Sequence, residues 1–204
     1  IRGTNGGEAN DVSLTTTGTL TVVGIGANGT TADNNINDVT LSGGSVSISG
    51  TIATAVLGGS GGSATSDKGV VDITGPVTLA GSVVVDTTST NNATADVNSI
   101  IFDNTIDGNN TLVLKSDIGD VAITGKIGAG TTLNALTINA GGDTSSGKIT
   151  LTGDIGATGA NNEGVTNSTL IGNTATKEIQ FGGTRYETVG LQTYTASGTA
   201  TDNL

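Results

Sequence analysis

The sequence contains no cysteine, histidine, methionine or tryptophan, and only one proline. Without cysteine the chain forms no disulfide and offers no thiolate for redox chemistry or metal binding. Without histidine it lacks the side chain that most often transfers protons near neutral pH. Catalysis by this chain would therefore depend on its carboxylates, and we expect a protein that is not an enzyme.

Positive charge is also scarce, since seven Lys and Arg stand against 18 Asp and Glu, for a formal net charge of −11. Nucleic-acid binding needs clustered cations to neutralise phosphates, and binding to anionic lipid needs them as well. No run approaches the roughly 18 to 20 apolar residues of a membrane-spanning helix. We expect no nucleic-acid partner and no membrane insertion.

The two ends of the sequence carry no recognisable signal or cap. The first residues, IRGTNGG, lack the basic-then-apolar pattern of a signal peptide, and the first residue is not methionine. No shift of composition divides the chain. We expect residues 1–204 to be a single repeat-built β domain, a fragment or processed subunit of a longer or polymeric assembly.

The residues that are abundant favour strands and turns. Glycine occurs 34 times, and short runs of alternating Val, Ile and Leu are separated by Thr, Ser, Asn and Asp. In residues 39–52, VTLSGGSVSISGTI, the apolar side chains fall on one face with the period of two that is typical of a half-buried strand. The composition and this alternation predict an all-β fold.

A repeat of about 28 residues organises the strands. VAITGKIGA at 121–129 returns as ITLTGDIGA at 149–157. Seven similar units begin with an inward-facing apolar residue, at Val12, Val39, Val71, Ile100, Val121, Ile149 and Ile179. Repeats of this length are typical of structures built by stacking one unit on the next.

Stacking the two matching segments makes specific predictions about contacts. It places three pairs of apolar side chains on top of each other: Val121 and Ile149, Ile123 and Leu151, Ile127 and Ile155. It also sets Lys126 opposite Asp154 on the surface, an exposed ion pair that helps register more than stability.

Three segments resemble the β-strand repeats of large bacterial surface proteins, the filamentous haemagglutinin-like and autotransporter-type adhesins. They are GDVAITGKIGAGTTLNALTINAGG (119–142), GKITLTGDIGATG (147–159) and VGLQTYTASG (189–198). The resemblance implies a parallel β-solenoid, a right-handed β-helix, which forms the shaft of an exported adhesin. About seven coils are predicted. The alternative fold is a β-sandwich completed by a donated strand.

Acidic loops are the candidate metal sites. Calcium prefers oxygen ligands, and these are frequent in DNNIND (33–38) and DNTID (103–107). The candidate calcium ligands are Asp33, Asp38, Asp103 and Asp107, although neither segment completes an EF-hand loop. The alternative interpretation is that these side chains cap solvated turns.

The same acids suggest a second class of function. Glycosidases use two carboxylates about 5 to 10 Å apart, and Asp103 with Asp107, or Asp117 with Asp120, would supply such a pair. A glycan-binding or polysaccharide-cleaving β-helix module is therefore the alternative to a structural protein. Aspartates that cap corners explain the same residues without any substrate.

The leading hypothesis from the sequence is a structural, non-enzymatic protein of the extracellular space or the bacterial cell surface. The terminal coil of a solenoid exposes unpaired backbone groups, so natural solenoids are capped, continued or joined to another molecule. We expect the partner to be the same kind of structure, either head-to-tail subunits or adjacent repeats. A host or cell-surface glycan or protein is a further expected partner.

Overall fold

The fold is all-β. The computed structural model describes residues 1, 10–26, 36–54, 69–88, 98–116, 118–140, 147–157 and 163–198, and in this part of the chain the regular structure consists of strands without any helix. The strands form three sheets, and every strand pair in the described residues is parallel. Successive strands pass from one sheet to the next, so the chain winds as a β-solenoid.

The first sheet contains β1 (Asn10–Thr15), β3 (Ile36–Ser42), β6 (Val71–Thr74), β9 (Ile100–Phe102), β12 (Val121–Ile123), β14 (Lys148–Leu151) and β16 (Glu178–Phe181). The second contains β2 (Thr19–Val22), β4 (Ser45–Ile48), β7 (Val77–Leu79) and β10 (Ile106–Asp107). The third contains β5 (Thr51–Ala53), β8 (Val83–Asp86), β11 (Thr111–Ser116), β13 (Ala135–Ala140), β15 (Thr169–Ile171) and β17 (Gln192–Tyr194). One turn is one circuit through the three sheets.

The first sheet confirms the predicted repeat position by position. The seven residues predicted to begin the units lie opposite one another in its seven consecutive strands: Val12, Val39, Val71, Ile100, Val121, Ile149 and Ile179. The three predicted pairs between 121–129 and 149–157 are present as well. The repeat in the sequence is therefore the repeat of the turns.

The inward residues form one continuous apolar core. Buried Val, Ile and Leu side chains recur from the first turn as far as Ile171 and belong to a single contact cluster, against which the partly buried Ile179, Phe181 and Tyr186 of the last turn pack. Phe102 takes part in the same arrangement, since it is fully buried between Ile73 of the turn below and Ile123 of the turn above. Each inward position therefore extends through the stack as a column of side chains.

Two expectations need correction. The β-sandwich alternative is wrong, because such sandwiches consist of antiparallel sheets and the pairs here are parallel. The predicted number of about seven coils is too high, because in the described part of the chain the second sheet has four strands, which correspond to about four turns, and then continues as isolated bridges at Ile127, Ile155 and Tyr186. Irregular glycine-containing backbone replaces its strands in the later turns. The handedness of the coil stays a prediction.

Buried hydroxyl groups close the corner between the third sheet and the next strand of the first sheet. Each hydroxyl donates to a backbone carbonyl at the start of the following turn: Thr54 to Gly69 at 3.1 Å, Thr87 to Asn98 at 2.5 Å and Ser116 to Gly119 at 2.7 Å. The bonded residues are 15, 11 and 3 positions apart in the sequence. Insertions of different length therefore leave the register of the next strand unchanged.

The corner between β6 and β7 depends on a glycine. Gly75 has a φ of 114°, and a Cβ atom there would lie 2.2 Å from the carbonyl oxygen of Gly43 in the turn below. Both the left-handed backbone and this close approach exclude a side chain.

We expect Gly75→Ala to lower the free energy of unfolding by about 2 to 4 kcal/mol, through backbone strain and overpacking. The matched control is Gly18→Ala in the same corner of the first turn, where the nearest atom to the added Cβ is 4.0 Å away. Urea unfolding followed by circular dichroism compares the two. Equal stability of both variants would contradict this account of the corner.

Candidate functional site at the first and last turns

The two ends of the described stack are the surfaces where its strands have a partner on one side only. We call residues 10–26 the first turn and residues 178–194 the last turn. In the described residues β1 lies at one edge of the first sheet, while β16 and β17 lie at the other edge of the first and third sheets. An edge strand presents backbone donors and acceptors to any strand that approaches it.

The last turn concentrates the aromatic side chains of the protein. Phe181, Tyr186 and Tyr194 are three of the four Phe and Tyr residues in the sequence. Each ends the inward column of a different sheet, above Leu151, Ile155 and Ile171 respectively. Aromatic rings therefore replace aliphatic side chains in all three sheets at this end of the core.

The three rings pack against each other edge to face. The ring centre of Phe181 lies 4.6 Å from that of Tyr186 and 5.2 Å from that of Tyr194, with interplanar angles of 71° and 89°. This geometry is favourable for aromatic pairs. Analysis of the sequence missed the cluster because the three residues are not in a contiguous motif; assigning each Tyr to its column would have found it.

The polar groups of Tyr186 form hydrogen bonds within the last turn and with the turn below. Its hydroxyl accepts the N–H of Gly183 at 2.7 Å and donates to the carbonyl of Leu151 at 3.3 Å. Its own carbonyl accepts the side-chain amide of Gln192 at 2.9 Å. In an inner turn the N–H at the equivalent position donates to the next turn instead. The N–H of Gly43, for example, donates to the carbonyl of Thr74. The last turn therefore contains its own hydrogen-bond acceptor for a backbone N–H group that, in an inner turn, bonds to the next turn.

Two outward apolar side chains of the last turn are in contact with solvent. Val189 is 66% exposed and Leu191 is 75% exposed. Both alternate with inward positions, since Thr188 lies opposite buried Val165 and Gln192 opposite buried Thr169. Tyr194 is 39% exposed. The last turn therefore combines an aromatic surface with edge strands, which is the combination expected of a contact surface.

The first turn is aliphatic. Val12, Leu14 and Leu20 pack against the core but are only partly buried. The N–H of Gly26 donates to the carbonyl of Ile1 at 2.9 Å, as the N–H of Ala53 donates to Ile25 in the turn below it. Ile1 therefore occupies the position that a preceding turn would occupy in the third sheet.

Opposite charges pair between neighbouring turns. The pairs are Lys115 with Asp86 at 3.8 Å, Lys126 with Asp154 at 3.3 Å and Lys148 with Glu178 at 3.6 Å. The predicted pair of Lys126 and Asp154 is confirmed. Such partly exposed pairs are worth about 1 kcal/mol or less each. They neutralise carboxylates that lie close to the stacked strands.

Asp154 also holds the backbone of the turn above. Its carboxylate accepts the N–H groups of Thr184 at 2.8 Å and Arg185 at 3.1 Å. The bond from Thr184 chiefly lowers the pKa of Asp154, with help from Lys126 and Arg185, while partial burial opposes this effect. Asp154 is thus ionised at neutral pH and supports the last turn.

The predicted calcium ligands lie at separate places. Asp33 lies outside the described residues. The other three carboxylates contact neighbouring turns: Asp38 accepts the N–H of Val70, Asp103 the hydroxyl of Thr74, and Asp107 the N–H groups of Gly130 and Thr131. Within the described ranges no three acidic or histidine side chains converge. These hydrogen bonds match the turn-capping interpretation, and calcium binding stays a prediction.

Asp72, which interacts with the candidate calcium ligand Asp103, was not singled out from the sequence. Burial raises the pKa of Asp72, and the negative charge of Asp103 raises it further. One carboxylate oxygen of Asp72 is buried without a hydrogen bond. The alternation of β6 predicts Asp72 on the outer face, but only the structure shows that Asp103 of the next turn lies close enough to affect it.

Comparisons with known proteins give no relative. No protein-family model matches the chain, and neither a curated protein nor a solved structure matches it. The resemblance to filamentous haemagglutinin-like adhesins therefore stays a prediction. The described residues also include no helix long and apolar enough to cross a bilayer.

The tyrosines make the last turn sensitive to alkaline pH. Burial raises the pKa of Tyr186, as does the charge of Asp154, while the bond from Gly183 opposes them; burial and then Tyr186 raise the pKa of Tyr194. The usual tyrosine pKa is about 10. Above it the unfolded chain loses these protons while the folded chain retains them, so stability falls as pH rises.

We expect the urea midpoint to be constant between a pH of about 7 and about 9 and to fall as pH rises through the folded-state pKa values of the tyrosines. The double variant Tyr186→Phe, Tyr194→Phe should lose most of this dependence. Circular dichroism follows the unfolding, because the double variant contains neither tyrosine nor tryptophan. The same alkaline loss in the variant would contradict the assignment.

Proposed function

We propose that this chain is a non-enzymatic structural protein, a stiff shaft segment of a bacterial adhesin or filament outside the cell. The observation that carries the proposal is the first sheet, in which seven strands keep the same inward positions in register. Each added turn lengthens such a stack by about 4.8 Å and buries its inward side chains against the turn before. Length is therefore obtained by repetition.

The chemistry of the surface supports the same role. Outward positions of the strands carry mainly short polar side chains, and the chain has a net charge of −11. Repulsion between similarly charged sides keeps neighbouring shafts apart. Contact with other molecules of the same kind is then favoured at the ends of the stack, where edge strands and partly exposed apolar columns lie.

The proposal includes extension along the axis by strand pairing. The partner at an end is either a further set of repeats or another subunit, since both would supply parallel strands with inward aliphatic residues. The alternative function is a glycan-binding or polysaccharide-cleaving surface formed by the acidic loops.

Electron microscopy of the purified chain, with Fourier analysis of any aligned rods or fibres, tests the proposal. We expect oriented, dried samples to give an axial reflection near 4.8 Å, whether they contain single chains or fibres. The seven strands of the first sheet correspond to roughly 30 Å of axial length in one chain.

Incubation with polysaccharides and a glycan array tests the alternative. We expect no cleavage, and unchanged glycan signals for Asp103→Ala and Asp107→Ala relative to the natural sequence. Oriented samples without an axial reflection near 4.8 Å would contradict the shaft proposal. So would a cleavage activity that disappears in either variant.

A further inference from the structure

We propose that the last turn of one chain binds the first turn of a second copy, in the register that continues all three sheets. This inference rests on the proposed function and specifies its partner and contact surface. Its contacts are four column pairs, with the last-turn residue first: Ile179 with Val12, Phe181 with Leu14, Tyr186 with Leu20 and Tyr194 with Ile25.

The register follows from the inner turns. A solenoid repeats by a nearly constant step along its axis, so the step that relates two inner turns also relates a last turn to a first turn placed above it. Ile179 and Val12 begin the outermost strands of the same column in the first sheet. The contact is heterologous, because two different surfaces meet, and it therefore continues as a filament.

The backbone groups at the two surfaces match. In inner turns the N–H of the first inward residue donates to the next turn, as Val39 does to Val70 and Ile100 does to Asp120. The same N–H in the last turn belongs to Ile179, and in the proposed register its acceptor is the carbonyl of Asp11. The same rule in the second sheet pairs the N–H of Tyr186 with the carbonyl of Thr19.

The N–H of Gly26 shows that the edge of the first turn in the third sheet can bind a backbone carbonyl from below. This N–H already bonds to the carbonyl of Ile1, in the relation that Gly172 has to Ile138 within the stack. In the proposed complex the carbonyl of Tyr194 takes over this bond. Ile1 is 60% exposed, so little of its side chain has to leave a packed position.

The side chains are compatible with this contact. An aromatic ring already fits between aliphatic neighbours in the first sheet, where Phe102 packs between Ile73 and Ile123. Phe181 below the Leu14 of a second copy repeats that arrangement at the end. The contact also covers the partly exposed apolar side chains at the end of the core, Ile179, Phe181 and Tyr186.

The contact brings Glu178 close to the Asp11 of the second copy, and like charges there oppose binding. Two features of the structure reduce this penalty. Glu178 is 3.6 Å from Lys148, which neutralises it. The stack also already contains two acids at this position in neighbouring turns, where the N–H of Asp38 donates to the carboxylate of Asp11 at 3.3 Å.

Cysteine cross-linking tests the register, because the natural sequence contains no cysteine. Ser13 and Gln180 are exposed, outward residues that lie opposite each other in the proposed contact. Directly paired strand positions are about 4.8 Å apart, within the Cα separation of a disulfide. The experiment mixes the full-length variants Ser13→Cys and Gln180→Cys under mild oxidation and measures the disulfide-linked dimer.

The control mixture contains Ser13→Cys and Thr193→Cys, since Thr193 is equally exposed but lies in the third sheet. A second test pair, Thr21→Cys with Glu187→Cys, examines the register in the second sheet. We expect several-fold more mixed dimer from both test pairs than from the control. Circular dichroism confirms that each variant is folded before mixing.

Equal dimer yields in test and control mixtures would overturn the inference. So would a predominance of Ser13→Cys homodimers, which would show first turns meeting each other. If the chain stays monomeric at all concentrations while oriented samples give the axial reflection near 4.8 Å, this inference is wrong and the shaft proposal stands. Absence of that reflection would instead remove the shaft proposal itself.

Discussion

The structure depends on one geometric constraint, that each inward side chain lies directly above its equivalent in the turn below. Parallel strands about 4.8 Å apart leave room for only one layer of side chains per turn. The core is therefore a set of columns, and a polar side chain in a column would be buried between two neighbours without a partner. The alternation of Val, Ile and Leu, the glycine corners and the hydrogen bonds between turns all maintain this alignment.

The corners show how the alignment tolerates variation in length. The chain between the third sheet and the next turn differs in length from turn to turn, yet Thr54, Thr87 and Ser116 each hold the residue that resumes the winding. Carboxylates such as Asp154 perform a related task on the surface by accepting N–H groups of the turn above. Short polar side chains thus transmit the register across segments whose sequences do not repeat.

The sequence predicted the parts of the fold that depend on alternation and repetition. Period-two patterning identified the inward residues, and the echo between 121–129 and 149–157 predicted the column contacts and the pair of Lys126 with Asp154. The number of regular coils predicted from the sequence was too high. A segment such as GKIGAG contains the inward Ile127 expected of a strand but too much glycine to form one. The aromatic surface of the last turn was not predicted, since Phe181 and Tyr194 meet only after the chain has wound through three sheets.

The measurement that tests the column arrangement most directly is the unfolding of Leu151→Asp beside Thr152→Asp. Leu151 lies in a column between Ile123 and Phe181, whereas the side chain of Thr152 is exposed. A buried, unpaired carboxylate should cost at least about 3 kcal/mol, and the exposed one about 0.5 kcal/mol or less. The account predicts that only Leu151→Asp loses cooperative unfolding or a large part of its stability. Equal unfolding curves for the two variants would contradict it.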